Sequence, residues 1–321
     1  MPRSNCASWL MAKQSPVNVV DTAPYTSPSA GELVIKTKAI ALNLADVGVQ
    51  KLGILLGDYP SILGCDVAGE FVQAHASLAG IYAVGNREGK YCYSACQQYV
   101  VLNLPFIAKI PKEVAYEDAA VLPLGINTAA SSLFAEETLG LDVPSVDGTK
   151  PPRGKMLLVW GASSSVGACG VQMATQAGYD VVGVASKRNH EMRDPTLVDD
   201  IVAFLDGKEV AGAYGAITSD SALNATCEIL DRSGGRKLVA SVIPGAEEKA
   251  TNSVKGVTNF ATDIANSGVG NAIWQWLSSA MGYRIKYMPQ SEVVGKGLEQ
   301  VQEAVDLLAH GVSAKKLVVS I

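Results

Sequence analysis

The sequence lacks any apolar stretch long enough to cross a membrane. No run approaches the ~20 consecutive apolar residues that a spanning helix needs, and residues 1–15 lack the continuous apolar core of a signal peptide. Lys/Arg-rich runs are also absent, and the formal net charge is −5. These features argue against membrane, acidic lipid or nucleic acid as the main partner. We expect a cytoplasmic protein.

Residues that bind transition metals are few and poorly spaced for a metal site. The chain has three histidines and six cysteines among its 321 residues. Cys92 and Cys96 have no further cysteine pair near them, so they cannot assemble a tetrahedral four-ligand zinc site. Scattered single cysteines are typical of proteins in reducing compartments. We therefore predict that the chain binds no metal.

The length and composition suit a protein with two hydrophobic cores. Of the 321 residues, 48% are hydrophobic and 18% are charged, which is ample for two cores. The N-terminal part is rich in Val and Ile and is broken by Pro and Gly, which predicts a β-rich domain. The strands predicted there are 18–21, 32–42, 67–73, 98–102 and 107–110.

From residue 156 onward, predicted strands alternate with predicted helices, which indicates an α/β fold with a parallel sheet. The predicted strands are 156–160, 180–185, 213–218, 236–242 and 317–321. The predicted helices in this part are 166–178, 196–205, 221–230, 268–281 and 295–309, and one further helix, 116–134, is predicted before it.

The turn after the strand 156–160 is the most informative segment. From Val159 to Gly167 the sequence is V-W-G-A-S-S-S-V-G. A strand, a small-residue turn and a helix N-terminus direct backbone N–H groups to one point, where an anion binds. Two of the usual dinucleotide-site glycines are present, so an ordinary strand-to-helix turn is the alternative. We predict a dinucleotide-phosphate site made by Gly161, Ala162, Ser163, Ser164, Ser165, Val166 and Gly167.

The end of the next predicted strand indicates which dinucleotide binds. In a dinucleotide-binding fold this strand tip faces the adenosine ribose, and NAD sites place Asp or Glu there. This chain has two cations, a hydroxyl and an amide instead, which suit the 2′-phosphate of NADPH. They are Ser186, Lys187, Arg188 and Asn189. We predict NADPH as the cofactor and add Val242 and Ile243, at the end of the strand 236–242, to its site.

Five segments, spread over nearly the whole chain, resemble the medium-chain dehydrogenase/reductase superfamily. They are A-L-N-L-A-D at 41–46, Y-P-S-I-L-G-C-D-V-A-G at 59–69, A-V-L-P-L-G at 120–125, the turn at 160–167 and the terminal segment 311–319. The chain is most similar to the zinc-free quinone and enoyl reductases, and among them to fungal enoyl reductases that act in trans on polyketide synthases. The resemblance implies a GroES-like β-rich catalytic domain (1–124 and 268–321) and a Rossmann cofactor domain (125–267).

The resemblance also supports the absence of a catalytic metal. Zinc alcohol dehydrogenases of this superfamily hold zinc with a cysteine, a histidine and a second cysteine. Asn43 stands at the place of the first cysteine, and Gly64-Cys65-Asp66 stands where the zinc branch has Gly-His-Glu. The resemblance therefore implies a zinc-free enzyme.

Hydride delivery to a conjugated enone, enoyl thioester or quinone needs less assistance than alcohol oxidation, because the enolate spreads the incoming charge. By resemblance, Asn43 and Asp46 line the nicotinamide and substrate cleft, and Thr128 neighbours the nicotinamide carboxamide. Asn43 is suited to donate a hydrogen bond to the developing oxyanion. Alternatively, Asn43 only ties down a turn and Thr128 only bonds its own helix backbone.

Gly48 is a departure from the family, whose reductases often carry Tyr or Lys two residues after the motif aspartate. Because Gly48 cannot donate a proton, the proton added to the substrate's α-carbon would have to come from solvent, Lys51 or Tyr59. We predict a zinc-independent, NADPH-dependent reductase of an activated carbon–carbon double bond or a quinone, acting on a small or carrier-bound intermediate of fungal secondary metabolism. We expect a monomer or homodimer, with a polyketide synthase as candidate partner. The alternative is an NADPH-binding protein that has lost ordinary reductase turnover and either serves a binding or structural role or catalyses a variant reaction.

The chain is unusually short in two places. A βαβ unit needs roughly thirty residues, yet Asn189 is followed almost at once by Asp194-Pro195 and a predicted helix. A similar compression lies between residues 85 and 91. We hypothesise that segments are missing from the numbering near Glu88-Gly89 and near Glu191-Met192, with a true deletion as the alternative.

Overall fold

The structure, a computed structural model, describes residues 4–75, 84–85, 91–185, 196–265 and 267–321. The chain divides into two compact units. We call them the β-rich unit, Met1–Leu124 with Met281–Ile321, and the Rossmann unit, Gly125–Ala280. None of the helices in the described ranges is long and apolar enough to cross a membrane.

The β-rich unit contains two sheets in its described part. The smaller sheet has the order β2 (Val19–Ala23), β1 (Asn5–Leu10) and β4 (Ser61–Ile62). The larger has the order β13 (Gln290–Lys296), β14 (Lys315–Ser320), β3 (Glu32–Ala41), β5 (Asp66–Ala74) and β6 (Val84–Gly85), with β7 (Tyr99–Asn103) also paired to β3. The helices are α1 (Leu44–Val47), which continues as a π-helical turn (Gly48–Leu52), α2 (Tyr116–Ala119) and α9 (Val301–Ala309).

Strand β3 is held by the core of the β-rich unit. Leu33 lies opposite Leu102 of β7, and Ile35 lies opposite Val100, and all four side chains belong to one buried apolar cluster. Alternate residues of a strand point to the same face, so this pairing fixes the register of β3. Because β3 ends at Ala41, its register also fixes where Asn43 lies.

The Rossmann unit is built on a parallel sheet, which in the described residues has five strands. Their order is β12 (Lys255–Thr258), β11 (Leu238–Ser241), β10 (Val210–Gly215), β8 (Met156–Trp160) and β9 (Asp180–Val184). All five residues of β8 are buried, as expected for a strand covered by helices on both faces. The helices are α3 (Pro123–Phe134), which begins at the unit boundary, α4 (Ser165–Gln176), α5 (Leu197–Leu205), α6 (Asp220–Arg232), α7 (Ala246–Lys249) and α8 (Gly268–Ala280).

The predicted α/β fold class, with a β-rich part and a Rossmann-type parallel sheet, is confirmed, and several predicted elements need correction. The predicted helix 116–134 is two helices, because Pro123 has no N–H and cannot continue α2. No strand forms at 107–110. Residues 290–296 form β13, so the first two residues of the predicted helix 295–309 belong to a strand. Strand β1 was not predicted.

The second predicted domain boundary also needs correction. Helix α8 belongs to the Rossmann unit, so the division falls after Ala280 instead of before residue 268. The reason is the burial of two tryptophans of α8. Trp274 Nε1 donates to Asn127 Oδ1 at 2.8 Å, and Trp276 Nε1 donates to Gln176 Oε1 at 3.3 Å. The other division of the chain falls after Leu124.

The two compressed places of the sequence, near Glu88-Gly89 and Glu191-Met192, lie outside the described residues. The hypothesis of missing segments therefore stays a hypothesis. In the part of the chain that the structure describes, no strand lies beyond β9 at that edge of the parallel sheet.

Candidate functional site

The predicted phosphate-binding turn follows β8 at the C-terminal edge of the parallel sheet. The backbone N–H groups of Gly161 and Ala162 both donate to Val184 O of β9, each at 2.9 Å, which ties the turn to the neighbouring strand. Gly161 has φ 86°, in the left-handed region that favours glycine. Backbone hydrogen bonds therefore hold the turn against β9.

The start of α4 closes the turn. Ser164 is the N-cap of α4, and its Oγ accepts from Gly167 N at 3.0 Å and donates to Ala216 O at 3.1 Å. A Cβ atom on Gly167 would lie 2.1 Å from Gly161 O. Only glycine allows this approach, so the N-terminus of α4 lies directly against the turn. This is the arrangement that binds phosphate at a helix N-terminus, and the turn accordingly fits a dinucleotide pyrophosphate.

The remaining predicted cofactor residues are partly described. Val242 and Ile243 follow β11 at the same edge of the sheet, where Val242 N donates to Gly215 O at 3.0 Å and Ile243 N donates to Ser241 Oγ at 3.2 Å. Thr128 is half-buried in α3. Ser163 lies in the turn, and Ser165 and Val166 are the first two residues of α4. Ser186, Lys187, Arg188 and Asn189 lie outside the described residues.

The β-rich unit contains a buried polar network around Asp66. Lys316 Nζ lies 3.0 Å from Asp66 Oδ2 and donates to Asn43 Oδ1. Asn43 Nδ2 donates to Asp66 Oδ2 at 2.9 Å, and Leu124 N donates to Asp66 Oδ1 at 2.7 Å. The side chains of Lys316 and Asp66 are 5% and 0% exposed. A buried carboxylate needs such partners, because an unpaired buried charge is costly.

Asp46, the second predicted catalytic residue, binds backbone in the structure. Its Oδ2 accepts from Asn43 N at 2.8 Å, and its Oδ1 accepts from Gly64 N at 3.0 Å. Burial raises the pKa of Asp46 from 3.8 to about 6, and the nearby Asp66 carboxylate adds to the increase. These contacts hold Asn43 in place, and the catalytic role of Asp46 stays a prediction.

The raised pKa of Asp46 predicts a pH-dependent stability. Between pH 3.8 and about 6 the folded state holds a proton that the unfolded state has released, so stability falls as pH rises through this window. The shift corresponds to about 3 kcal/mol. Urea unfolding measures the free energy of unfolding of the wild type and of Asp46→Asn, whose side chain cannot titrate. From about pH 4 to pH 7, the wild type should lose about this much more free energy of unfolding than the variant. A pH-independent difference would contradict the prediction.

Lys316 was not predicted as a site residue. Adjacent strand residues point to opposite faces, so Lys315 is exposed and pairs with Glu292 while Lys316 is buried. A sequence feature that indicates its role is Asp66 itself, because a carboxylate within the apolar stretch 61–69 requires a cation or several donors. The sequence does not reveal which cationic side chain pairs with Asp66.

The surroundings of Gly48 are apolar. A Cβ on Gly48 would lie 3.3 Å from Ile54 Cδ1, so Ile54 occupies the space beside it. Lys51, one alternative proton donor, forms an ion pair with Asp306. The hydroxyl of Tyr59, the other, is buried and has no hydrogen-bond partner among the described residues. Of the two side chains, Tyr59 therefore keeps an unused donor.

Within the described ranges, no group of three or more His, Cys, Asp or Glu side chains is arranged to hold a metal ion. Asn43 and Asp66 both bind Lys316. The ammonium group supplies the positive charge that balances Asp66.

No family model matches the chain, but curated relatives do. The zinc-binding alcohol dehydrogenase domain-containing protein cipB of Emericella nidulans is 36% identical over 342 residues, covering 99% of this chain and 98% of the relative. The trans-enoyl reductase himH of Aspergillus japonicus is 31% identical over 314 residues, covering 90% of each chain. The solved CurK enoyl reductase superposes with a TM-score of 0.72 at 16% identity, covering 99% of both chains.

The chain belongs to the medium-chain dehydrogenase/reductase superfamily. The resemblance predicted from the five sequence segments is thereby confirmed. As a member of the superfamily the chain is an oxidoreductase, and its fold implies a nicotinamide cofactor. Gly161, Ser164 and Gly167 fit such a cofactor, because they place the N-terminus of a helix against a turn of small residues.

Proposed function

We propose that the chain is a zinc-independent, NADPH-dependent reductase of an activated carbon–carbon double bond or a quinone. Its substrate would be a small or carrier-bound intermediate of fungal secondary metabolism, with a polyketide synthase as candidate partner. The observation that carries the proposal is the buried network of Asn43, Asp66 and Lys316, in which an ammonium group balances the carboxylate. Relatives named trans-enoyl reductases support the reaction class.

The proposed reaction adds a hydride to the β-carbon and a proton to the α-carbon of the acceptor, as the C=C π bond breaks. The reduced nicotinamide supplies the hydride when it is bound. Negative charge then develops on the acceptor's carbonyl oxygen, and a hydrogen-bond donor is sufficient to stabilise this charge. An N–H of the Asn43 amide is the proposed donor. Solvent or the Tyr59 hydroxyl is the proposed proton source, since Lys51 is engaged by Asp306.

The proposal predicts a preference for NADPH over NADH. Charge-assisted hydrogen bonds are worth about 1.5–3 kcal/mol each, so losing Lys187 or Arg188 should weaken NADPH binding about ten- to a hundredfold and leave NADH binding nearly unchanged. Fluorescence titration of both cofactors against wild type, Lys187→Ala and Arg188→Ala measures this. Equal affinity of the wild type for both cofactors would contradict the prediction.

The proposal also predicts that the purified protein holds no stoichiometric zinc. An ammonium group bound to Asp66 opposes a divalent cation at the same place, because like charges repel strongly in a buried site. Elemental analysis after dialysis measures the zinc content. About one zinc per chain would overturn the proposal and would support an alcohol dehydrogenase.

The decisive experiment is steady-state oxidation of NADPH with a panel of quinones, enones and enoyl thioesters. Turnover of at least one class, with the product reduced at the double bond or quinone, is the expected result. A second candidate is a cofactor-binding protein without ordinary turnover, which Gly48 favours because it offers no proton-donating side chain. NADPH binding without oxidation by any acceptor would support that candidate.

A further inference from the structure

We propose that Lys316 is a positioning residue that fixes the Asn43 amide in one orientation and leaves one N–H to donate to the substrate oxygen. This inference rests on the proposed reductase function, because it assigns a partner to the hydrogen-bond donor of that reaction. It concerns a residue from the last strand of the chain, β14, acting on a residue at the start of α1.

The two ends of the Asn43 amide face opposite charges. The amide oxygen accepts from the ammonium group of Lys316, and the amide nitrogen donates to the carboxylate of Asp66 at 2.9 Å. Rotating the amide by half a turn would place its NH₂ against the ammonium group and its oxygen against the carboxylate. Both contacts would be repulsive, and little water is present to weaken them, because the side chains of Lys316 and Asp66 are 5% and 0% exposed. The charges therefore select one orientation of the amide.

This orientation leaves one amide proton weakly used. An amide nitrogen carries two protons, and one of them bonds Asp66. The nitrogen's other contact is Ala41 O at 3.5 Å, which is at the limit for a hydrogen bond. The second N–H can therefore donate to a stronger acceptor, such as an oxygen that gains negative charge. The ammonium group on the amide oxygen also polarises the amide, and this makes its N–H groups better donors.

The backbone of Asn43 is fixed separately by Asp46, whose carboxylate accepts from Asn43 N at 2.8 Å. The two acidic side chains thus have different tasks. Asp46 holds the main chain at this position, whereas Asp66 and Lys316 set the side-chain rotation. Removing the charge of Lys316 should free the amide to rotate and leave the backbone anchor intact.

The test compares Lys316→Met, which keeps most of the length of the side chain and removes its charge, with Lys315→Met. Lys315 is the adjacent residue, its side chain is 56% exposed, and it pairs with Glu292 at the surface. We expect Lys316→Met to lower kcat about ten- to a hundredfold, with a much smaller change in KM, because the donor acts mainly in the transition state. Lys315→Met should behave like the wild type.

Combination with Asn43→Ala separates positioning from a general structural role. If Lys316 acts through the Asn43 amide, the double variant Lys316→Met/Asn43→Ala should be no slower than the slower single variant. Multiplied losses in kcat would overturn the proposal. In Lys316→Met/Asp66→Leu both buried charges are removed, which should recover a folded protein while kcat stays low. This variant keeps the test valid if Lys316→Met alone does not fold, and recovery of wild-type kcat in it would overturn the proposal.

A readout that does not depend on turnover separates this inference from the proposed function. The side-chain amide of Asn43 gives a pair of NMR resonances in a ¹⁵N-asparagine-labelled protein, assigned by their loss in Asn43→Ala. We expect Lys316→Met to shift or broaden that pair and Lys315→Met to leave it unchanged. If the wild type reduces no acceptor but the resonances respond, the proposed function fails and the positioning stands. If folded Lys316→Met changes neither kcat nor the resonances, Lys316 is not a positioning residue.

Discussion

Replacing Asp66 by alanine is expected to lower the free energy of unfolding by about 3–5 kcal/mol, as observed when one partner of a buried ion pair is removed. The substitution leaves the ammonium group of Lys316 buried, with its side chain 5% exposed and its carboxylate partner lost. It also removes the acceptor of Leu124 N and Asn43 Nδ2. Urea denaturation monitored by circular dichroism measures the change.

Glu70→Ala is the matched control, because Glu70 lies on the same strand, β5, and also pairs with a lysine. Its partner Lys38 is 3.3 Å away, and the Glu70 side chain is 53% exposed. Exposed ion pairs contribute at most about 1 kcal/mol, so the free energy of unfolding of this variant should be close to that of the wild type. If Asp66→Ala and Glu70→Ala lowered the free energy of unfolding by similar amounts, burial would not control the energy of the Asp66–Lys316 ion pair.

Replacing Gly167 by alanine is expected to weaken cofactor binding about ten- to a hundredfold and to lower the melting temperature. The new Cβ would lie 2.1 Å from Gly161 O, a backbone atom that cannot move aside as a side chain can. Overpacking of this kind costs about 1–3 kcal/mol, and relief of the clash must move the start of α4 away from the turn. Cofactor titration and thermal unfolding measure the two effects.

Gly268→Ala is the control for this substitution. Gly268 is the first residue of α8 in the same unit, and a Cβ there meets no atom within 4 Å. Alanine favours a helix over glycine, so this variant should bind cofactor normally and be at least as stable as the wild type. Wild-type cofactor affinity in Gly167→Ala would mean that the turn can open without affecting the phosphate site.

The elements of the Rossmann unit were predictable because their sequence patterns are local. Strand β8 is a continuous apolar run, and the predicted strand 156–160 agrees with the structure residue for residue. The turn and α4 follow at once, so their geometry depends on Gly161, Ser164 and Gly167, which are close in sequence. Helix α8 was located correctly from its pattern, but its unit was not, since that depends on the contacts of Trp274 and Trp276 with distant residues.

The α/β class and the position of the turn follow from the sequence, and its resemblance to the superfamily places Asn43 where zinc enzymes have a cysteine and Asp66 where they have a glutamate. These features follow from short-range patterns and from the identity of single residues. What those two side chains bind depends on the tertiary structure. Lys316 is 273 residues from Asn43 along the chain, and the pairing of β14 with β3 and of β3 with β5 brings them together. A buried charge selects its partner through the fold, because the cost of leaving it unpaired depends on burial, which no single segment of sequence determines.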